Sequence, residues 1–307
     1  MLRRLGTIAI VPALFLLAAG CESRASRPAA ARPAPAKFAD EVSAPRDEDY
    51  AKARASYQSK VTWTGHAPVA AKVAQVPKGA EELKYASGGL ALRSFVTPDP
   101  GDGAKHPAVV FLGDGFNFDA RDWSLADKYR AGGFVVLAPL PRGENQQKGI
   151  YTMFYGEVDD VLAATEALAK LPYVDGARID LAGVREGGTQ ALLCAMASGR
   201  FRSVAAIDPV LDIAAFTKQN RHLVAFDRKV VREFQLRSPL AYATSLKCPA
   251  RLYVRAGDAD AAAAAREFER RARGKSLDAE AVPVPGDKPA AAVAAAVGRS
   301  IEFFKSR

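Results

Sequence analysis

The sequence predicts an α/β fold with a doubly wound, mostly parallel sheet, and three observations lead to this prediction. From about residue 80 onward, short continuous apolar runs rich in β-branched residues recur along the chain, as in parallel strands covered on both faces. Helical patterns alternate with these runs, which is the order that a parallel sheet requires. The 307 residues are 49% hydrophobic and 25% charged, which is enough apolar mass for a large core and excludes disorder of the whole chain.

The predicted sheet begins with a hairpin. EELKYAS and LALRSFVTP alternate in polarity around Gly88 and Gly89, which permit the positive φ of a tight turn. Between the later strands, GEVDDVLAATEALAKL predicts a helix whose first turn carries acidic residues, where the helix dipole favours them. Residues 211–246 break the alternation and are expected to form a small cap insertion. The remaining predicted strands are HPAVVFLGD, GFVVLAPL, RIDLAG, SVAAIDPV and ARLYVRAG.

Residues 1–20 have the pattern of an export signal. Two arginines precede an apolar run that is too short for a settled membrane span, and small residues lead to Cys21. The segment resembles a bacterial lipoprotein signal peptide, which implies cleavage before Cys21 and a diacylglyceryl thioether, with further acyl chains such as palmitate, on that residue. By the same resemblance, Glu22 implies sorting to the outer membrane, on the periplasmic side. An ordinary secretory signal cut elsewhere is the alternative.

Residues 21–60 are rich in alanine, proline and charge and are predicted to form a disordered tether, with the folded domain spanning residues 61–307. An acylated Cys21 would hold that domain close to a membrane surface.

The charge and cysteine content exclude several classes of function. The net charge is +9, or +7 without Arg3 and Arg4, but an exported protein rarely meets nucleic acid, so no nucleic-acid partner is predicted. Much of the charge falls in residues 266–275, where acidic and basic residues spaced four apart predict a solvated helix face. Cys194 and Cys248 are expected to be buried thiols rather than a disulfide. No metal-binding pattern occurs, and no metal or cofactor is predicted.

The order of these elements, with a glycine-flanked turn after the third parallel strand of the core, resembles the α/β-hydrolase fold. More narrowly it resembles the prolyl-oligopeptidase and dienelactone-hydrolase branch, over most of residues 80–305. The stretches that carry the resemblance are GGLALRSFVTP, HPAVVFLGDG, AGGFVVLAPLPRGEN, FYGEVDDVLAATEALAKLPYVDGARIDLAG, GGTQALL, RFRSVAAIDPV, RSPLAYATSLKCPARLYV and SIEFFK.

The catalytic pattern that this resemblance implies is broken. Serine hydrolysis needs a hydroxyl at a strained turn, an imidazole, a carboxylate and oxyanion donors. The glycines of the turn are present, but Arg185 stands at the nucleophile position, and a guanidinium cannot attack a carbonyl. Pro289 stands at the histidine position and is expected to open a helix. No other histidine can easily replace the imidazole, His222 in the insertion being the least remote candidate.

The resemblance places the acid member at Asp260, or less favourably at Asp258. A structural role for Asp260 as the N-cap of the following helix is the stronger interpretation, because a carboxylate without its histidine has no catalytic task. On the oxyanion side, Asp114 would bring negative charge to the place where negative charge should be stabilised.

Two classes of function remain open. The first is a pseudohydrolase that binds or scaffolds, with a protein or an anionic small molecule as partner. Arg185, beside the amides of Glu186 and Gly187, could clamp a carboxylate or phosphate at the helix N-terminus. Alternatively, Asp114, Glu186 and Asp260 could neutralise Arg185 and plug the site, which is slightly favoured and moves the partner to the cap or the surface.

The second class is an active exported esterase or peptidase with a non-standard nucleophile. Thr189 and Cys194 are expected to face the packing of the helix, and Ser203 opens a strand, so none of them is a good candidate. The aromatic residues Tyr151, Phe154 and Tyr155 could line a substrate mouth, although such a cluster is more often core.

Overall fold

A single eight-stranded sheet organises the protein, which we describe from a computed structural model covering residues 38–70, 72–286 and 288–307. The strand order is β1-β2-β4-β3-β5-β6-β7-β8. The strands are β1 (Glu81–Ser87), β2 (Leu90–Val96), β3 (His106–Leu112), β4 (Val135–Leu140), β5 (Val174–Val184), β6 (Val204–Ile207), β7 (Ala250–Arg255) and β8 (Ala279–Val284).

The predicted hairpin and the predicted parallel core are both confirmed. β1 pairs antiparallel with β2, and β2 pairs antiparallel with β4. Strands β3 to β8 pair only in parallel with one another. The hairpin turn is possible because Gly88 and Gly89 have φ values of 54° and 78°, which side chains disfavour. Because β3 to β8 are parallel, they all end at one edge of the sheet, here called the carboxyl edge.

Helices cover both faces of the sheet, and the alternation along β3 separates two cores. Ala108 and Val110 belong to one core, whereas Val109 and Phe111 belong to the other. The helices are α1 (Phe38–Ser43), α2 (Tyr50–Ala55), α3 (Ala120–Ala131), α4 (Gly156–Leu168), α5 (Glu186–Ala197), α6 (Ile213–Gln219), α7 (Val231–Gln235), α8 (Ala259–Arg273) and α9 (Pro289–Lys305). Helices α4, α5 and α8 pack on the first core, and α3 and α9 pack on the second.

The prediction of a disordered tether through residue 60 is wrong for its second half. Val42 and Tyr50, in α1 and α2, are fully buried, and the Tyr50 hydroxyl donates to the carbonyl of Leu236 over 2.8 Å. The rings of Phe38 and Tyr50 pack against Phe234 and Tyr242 of the insertion, and the segment is part of the folded unit that extends to Arg307. The export signal, Cys21 and the first part of the tether lie outside the described residues.

The insertion between β6 and β7 contains α6, α7 and two 3-10 helices, Arg221–Leu223 and Pro239–Ser245. It is fastened to the body by Arg237, whose guanidinium is fully buried and pairs with Glu233 over 2.7 Å. The same guanidinium donates to the carbonyls of Thr152 and Met153, which precede α4. Within the described ranges, no helix has both the length and the apolar character needed to cross a membrane.

Candidate functional site

Arg185 lies at a strained turn between β5 and α5. Its φ and ψ are 49° and −111°, a conformation that costs a residue with a side chain about 1–3 kcal/mol. Its amide donates to the carbonyl of Ile207 over 2.8 Å, and its carbonyl accepts from the amide of Thr189 over 2.9 Å. The turn is therefore the sharp strand-to-helix bend that hydrolases use to expose a nucleophile, and it is formed here around an arginine.

The glycines around Arg185 are required by close backbone packing. A Cβ on Gly183 would meet the carbonyl oxygen of Gly187 at 2.2 Å, and a Cβ on Gly187 would meet the carbonyl oxygen of Gly113 at 2.3 Å. These are backbone atoms that cannot move aside cheaply. Gly187 thus allows α5 to approach the loop after β3, a packing role that does not depend on a serine at position 185.

Two carboxylates contact Arg185. Its Nε lies 3.2 Å from Oδ1 of Asp114, in the loop after β3, and 3.7 Å from Oε2 of Glu186. The side chains of Arg185 and Asp114 are 46% and 53% exposed, so the pair is worth only about 0–1 kcal/mol of stability. Asp260, the third carboxylate considered for this role, forms no hydrogen bond or ion pair with Arg185.

Glu186 is the more constrained of the two carboxylates. Burial raises its pKa above the ordinary range, its own backbone amide and Arg185 oppose that shift, and Asp114 reinforces it. Its Oε2 is buried and has no hydrogen-bond partner. The interior side of the turn is thus acidic and incompletely paired, which disfavours a second anion.

Asp208 is a further member of this acidic group that the sequence reasoning missed. It follows β6 at the carboxyl edge with a φ of 50°, and burial raises its pKa, while Arg185 lowers it. Asp208 directly follows a predicted strand, but its place beside Arg185 depends on the strand order, in which β6 is the neighbour of β5.

The loop after β3 is unsuited to stabilising an oxyanion. The backbone amide of Asp114 donates to Oδ1 of Asp122 over 2.9 Å, so this amide is already engaged by a negative group. Asp122 also accepts from the amide of Asp119 over 2.9 Å and is nearly buried, and burial raises its pKa to about 6. The exposed carboxylate of Asp114 then adds negative charge where a hydrolase would need positive potential.

No imidazole reaches the turn through a hydrogen bond or an ion pair. His66 Nε2 lies 3.1 Å from the carbonyl oxygen of Gln147, and His106 Nε2 lies 3.0 Å from Asp102 at the start of β3. His222 is exposed on a 3-10 helix of the insertion. Pro289 is the first residue of α9, where its missing N–H leaves no helical hydrogen bond unmade.

The N-cap of α8 lies two residues before the predicted one. Asp258, not Asp260, caps the helix, because its side chain accepts from the amide of Ala261 over 3.0 Å. Asp260 is exposed within the first turn. The five alanines that follow Asp260 made it look like the boundary, but the helix begins at Ala259, which sequence periodicity does not resolve.

The other candidate nucleophiles are enclosed by packing. Thr189 is buried and its hydroxyl donates to the carbonyl of Val210 over 2.8 Å, while the Ser203 hydroxyl donates to Asp180 over 2.7 Å. Cys194 and Cys248 are free cysteines whose pKa values are raised by burial, that of Cys248 to about 12. Of the aromatic cluster, Tyr151 and Phe154 are fully buried core residues and Tyr155 is half-buried.

The strand order, the sharp turn after β5 and the parallel carboxyl edge define the α/β-hydrolase fold. Residues 123–271 match the model of the Prolyl oligopeptidase family. A comparison with curated proteins finds no match.

Solved structures with this fold include peptidases and esterases. A Mycobacterium tuberculosis puromycin-hydrolyzing peptidase is 19% identical with a TM-score of 0.64, over 74% of this chain and 40% of that one. Pyrococcus horikoshii acylaminoacyl peptidase is 17% identical with a TM-score of 0.61, over 74% and 41%. A Pyrobaculum calidifontis esterase is 18% identical with a TM-score of 0.56, over 76% and 86%. The chain spans about two fifths of the two peptidases, and at these identities the likeness concerns the fold alone.

Proposed function

We propose that this protein is a pseudohydrolase: a hydrolase fold that has lost serine-hydrolase chemistry and acts in binding or scaffolding at the cell envelope. The observation that carries the proposal is the ion pair between Arg185 and Asp114 at the nucleophile turn. A permanent cation occupies the position of the attacking oxygen, and its partner is an anion at the position of an oxyanion donor.

The surrounding residues support a plug more than an anion clamp. Burial raises the pKa values of Glu186 and Asp208 while Arg185 lowers both, so Arg185 already interacts with these two carboxyl groups as well as with Asp114. A carboxylate or phosphate ligand would compete with three acidic residues for one guanidinium. Partner binding therefore belongs elsewhere on the domain, with a protein as the favoured partner.

We also propose that the protein is anchored through a lipid on Cys21 and faces the periplasm from the outer membrane. Residues 1–22 support this through their resemblance to lipoprotein signals. Replacing Cys21 by alanine should move the protein from the membrane fraction to the soluble fraction. Membrane association unchanged by Cys21→Ala would refute lipidation.

An active exported esterase or peptidase is the second candidate, and the family match over residues 123–271 favours it. A fluorophosphonate probe and short-chain aryl esters separate the two, with heat-unfolded protein as the background. The pseudohydrolase should show neither labelling nor turnover above that background. Labelling at one defined residue, with turnover abolished by mutation of that residue, would establish the active enzyme instead.

A further inference from the structure

A basic groove lies between the insertion and the start of the described chain. Its volume is about 740 Å³, which is within the range of about 300–1,000 Å³ typical of ligand sites. Its aromatic wall is a chain of edge-to-face contacts, in which the ring of Phe234 lies 5.2 Å from that of Phe38 and 4.9 Å from that of Phe226. Phe226 and Phe234 are buried, whereas Phe38 remains 40% exposed and presents its ring to solvent at the edge of the groove.

Four cations line this groove, and all four are exposed: Lys218, Arg221, Arg228 and Lys229. Among the residues that the structure describes, none of the four side chains has an ion-pair partner, in contrast to most arginines of the protein. Asp227 is the one carboxylate among the lining residues, and it accepts from the backbone amide of Lys229 over 3.0 Å. The groove therefore has an excess of three positive charges that nothing within the described chain neutralises.

The geometry points to an anionic phospholipid headgroup as the occupant, so we propose that the groove binds the surface of an anionic bilayer. Exposed lysine and arginine side chains beside an accessible aromatic residue form the combination that binds at the interface of anionic membranes. A soluble polyanion would contact the cations but would gain nothing from the exposed ring of Phe38.

The position of the groove in the chain supports the same occupant. Phe38, which lines it, stands 17 positions after Cys21. Those residues can span at most about 60 Å, so a lipid on Cys21 would keep the groove within reach of the bilayer. The groove proposal does not depend on the loss of catalysis, and it requires only that anionic lipid be accessible.

Vesicle binding of the full chain tests the proposal, with every variant carrying Cys21→Ala so that no lipid is attached at that position. The test variant replaces the four groove cations by glutamine. The matched control replaces four other exposed lysines by glutamine, so that the net charge changes by the same amount. These lysines also have no ion-pair partner within the described chain, and they are Lys78, Lys148, Lys170 and Lys275. Each protein is floated with vesicles of phosphatidylcholine alone and of phosphatidylcholine containing phosphatidylglycerol.

We expect phosphatidylglycerol to increase the vesicle-bound fraction of the parent protein. In the groove variant this increase should be at least tenfold smaller. In the control variant it should stay within about threefold of the increase seen for the parent protein. Equal losses in the two variants would mean that bulk charge alone acts. Equal binding to both vesicle types, or no binding, would overturn the proposal. Abolition by millimolar inorganic phosphate at constant ionic strength would also overturn it, because the occupant would then be a free anion. Phe38→Ser provides a second variant, and undiminished binding by it would contradict the role of the aromatic wall.

Discussion

Arg185 Nε and Asp114 Oδ1 lie 3.2 Å apart, joining the turn after β5 to the loop after β3. In a working hydrolase these two loops supply the nucleophile and part of the oxyanion site. Here the same two places carry a cation and an anion that satisfy each other. The proposed loss of catalysis and the local charge balance would therefore have one structural cause, this ion pair.

We expect Arg185→Ala to change the free energy of unfolding by less than about 1 kcal/mol. The ion pair with Asp114 is half-exposed, and pairs of this kind contribute only about 0–1 kcal/mol. Denaturant unfolding followed by circular dichroism measures the change. A loss above 2 kcal/mol would show that Arg185 is a structural residue rather than a removable plug.

Arg185→Ser should have no esterase activity, because restoring a hydroxyl at the turn does not restore the imidazole or free the Asp114 amide. Turnover of short-chain aryl esters is the measurement, with Arg185→Ala as the control that lacks the hydroxyl. Activity in the serine variant alone would mean that a base not identified here reaches the turn.

We expect Arg237→Met to destabilise the protein by about 3–5 kcal/mol. Its guanidinium is fully buried and pairs with the buried carboxylate of Glu233, so removing it leaves an uncompensated charge. Arg121→Met is the control, since Arg121 is 92% exposed in its pair with Asp119 and its replacement should leave the unfolding midpoint nearly unchanged. Similar losses in both variants would contradict this assignment.

Asp122 should make stability fall as the pH rises from about 4 to about 6. Burial raises its pKa in the folded state to about 6, against about 3.9 in an unfolded chain. The folded state therefore binds the proton more tightly, and this favourable contribution, complete below pH 4, is lost as the pH rises through 6. Two units of pKa correspond to roughly 2–3 kcal/mol.

Asp122→Asn tests this, because asparagine cannot titrate. Unfolding free energies measured at unit intervals from pH 4 to pH 7 should show a shallower decline in the variant than in the parent protein. Parallel curves would mean that Asp122 titrates normally.

Gly187→Ala should destabilise the protein by at least 2 kcal/mol, because the new methyl group would meet the backbone oxygen of Gly113 at 2.3 Å. Gly298→Ala is the control. It lies inside α9 with no atom within 4 Å of the added methyl, and it should stabilise the protein by up to about 1 kcal/mol. Unfolding midpoints of the two variants that shift in the same direction would contradict the packing argument.

The sequence by itself determined the sheet, the hairpin and the nature of the turn at Arg185, because each depends on local information. Continuous apolar runs indicate buried strands, and Gly88 and Gly89 indicate a turn with positive φ. The glycines after β5 indicate that the backbone packs closely there. The ion pairs predicted on the face of α8 are also local, because their partners are four residues apart. Glu267–Arg271 and Glu269–Arg273 form these pairs at 2.7 and 3.0 Å.

Only the tertiary structure decided which acidic residues surround Arg185 and what happens to the segment before residue 61. Asp114 and Asp208 follow different strands, so their proximity to Arg185 depends on the strand order rather than on sequence spacing. Tyr50 lies in a polar, proline-rich context, yet it is buried because the insertion nearly two hundred residues later presents the carbonyl of Leu236 to its hydroxyl. Such contacts form only when segments that are far apart in the sequence come together in the fold, and a local sequence pattern contains no information about that.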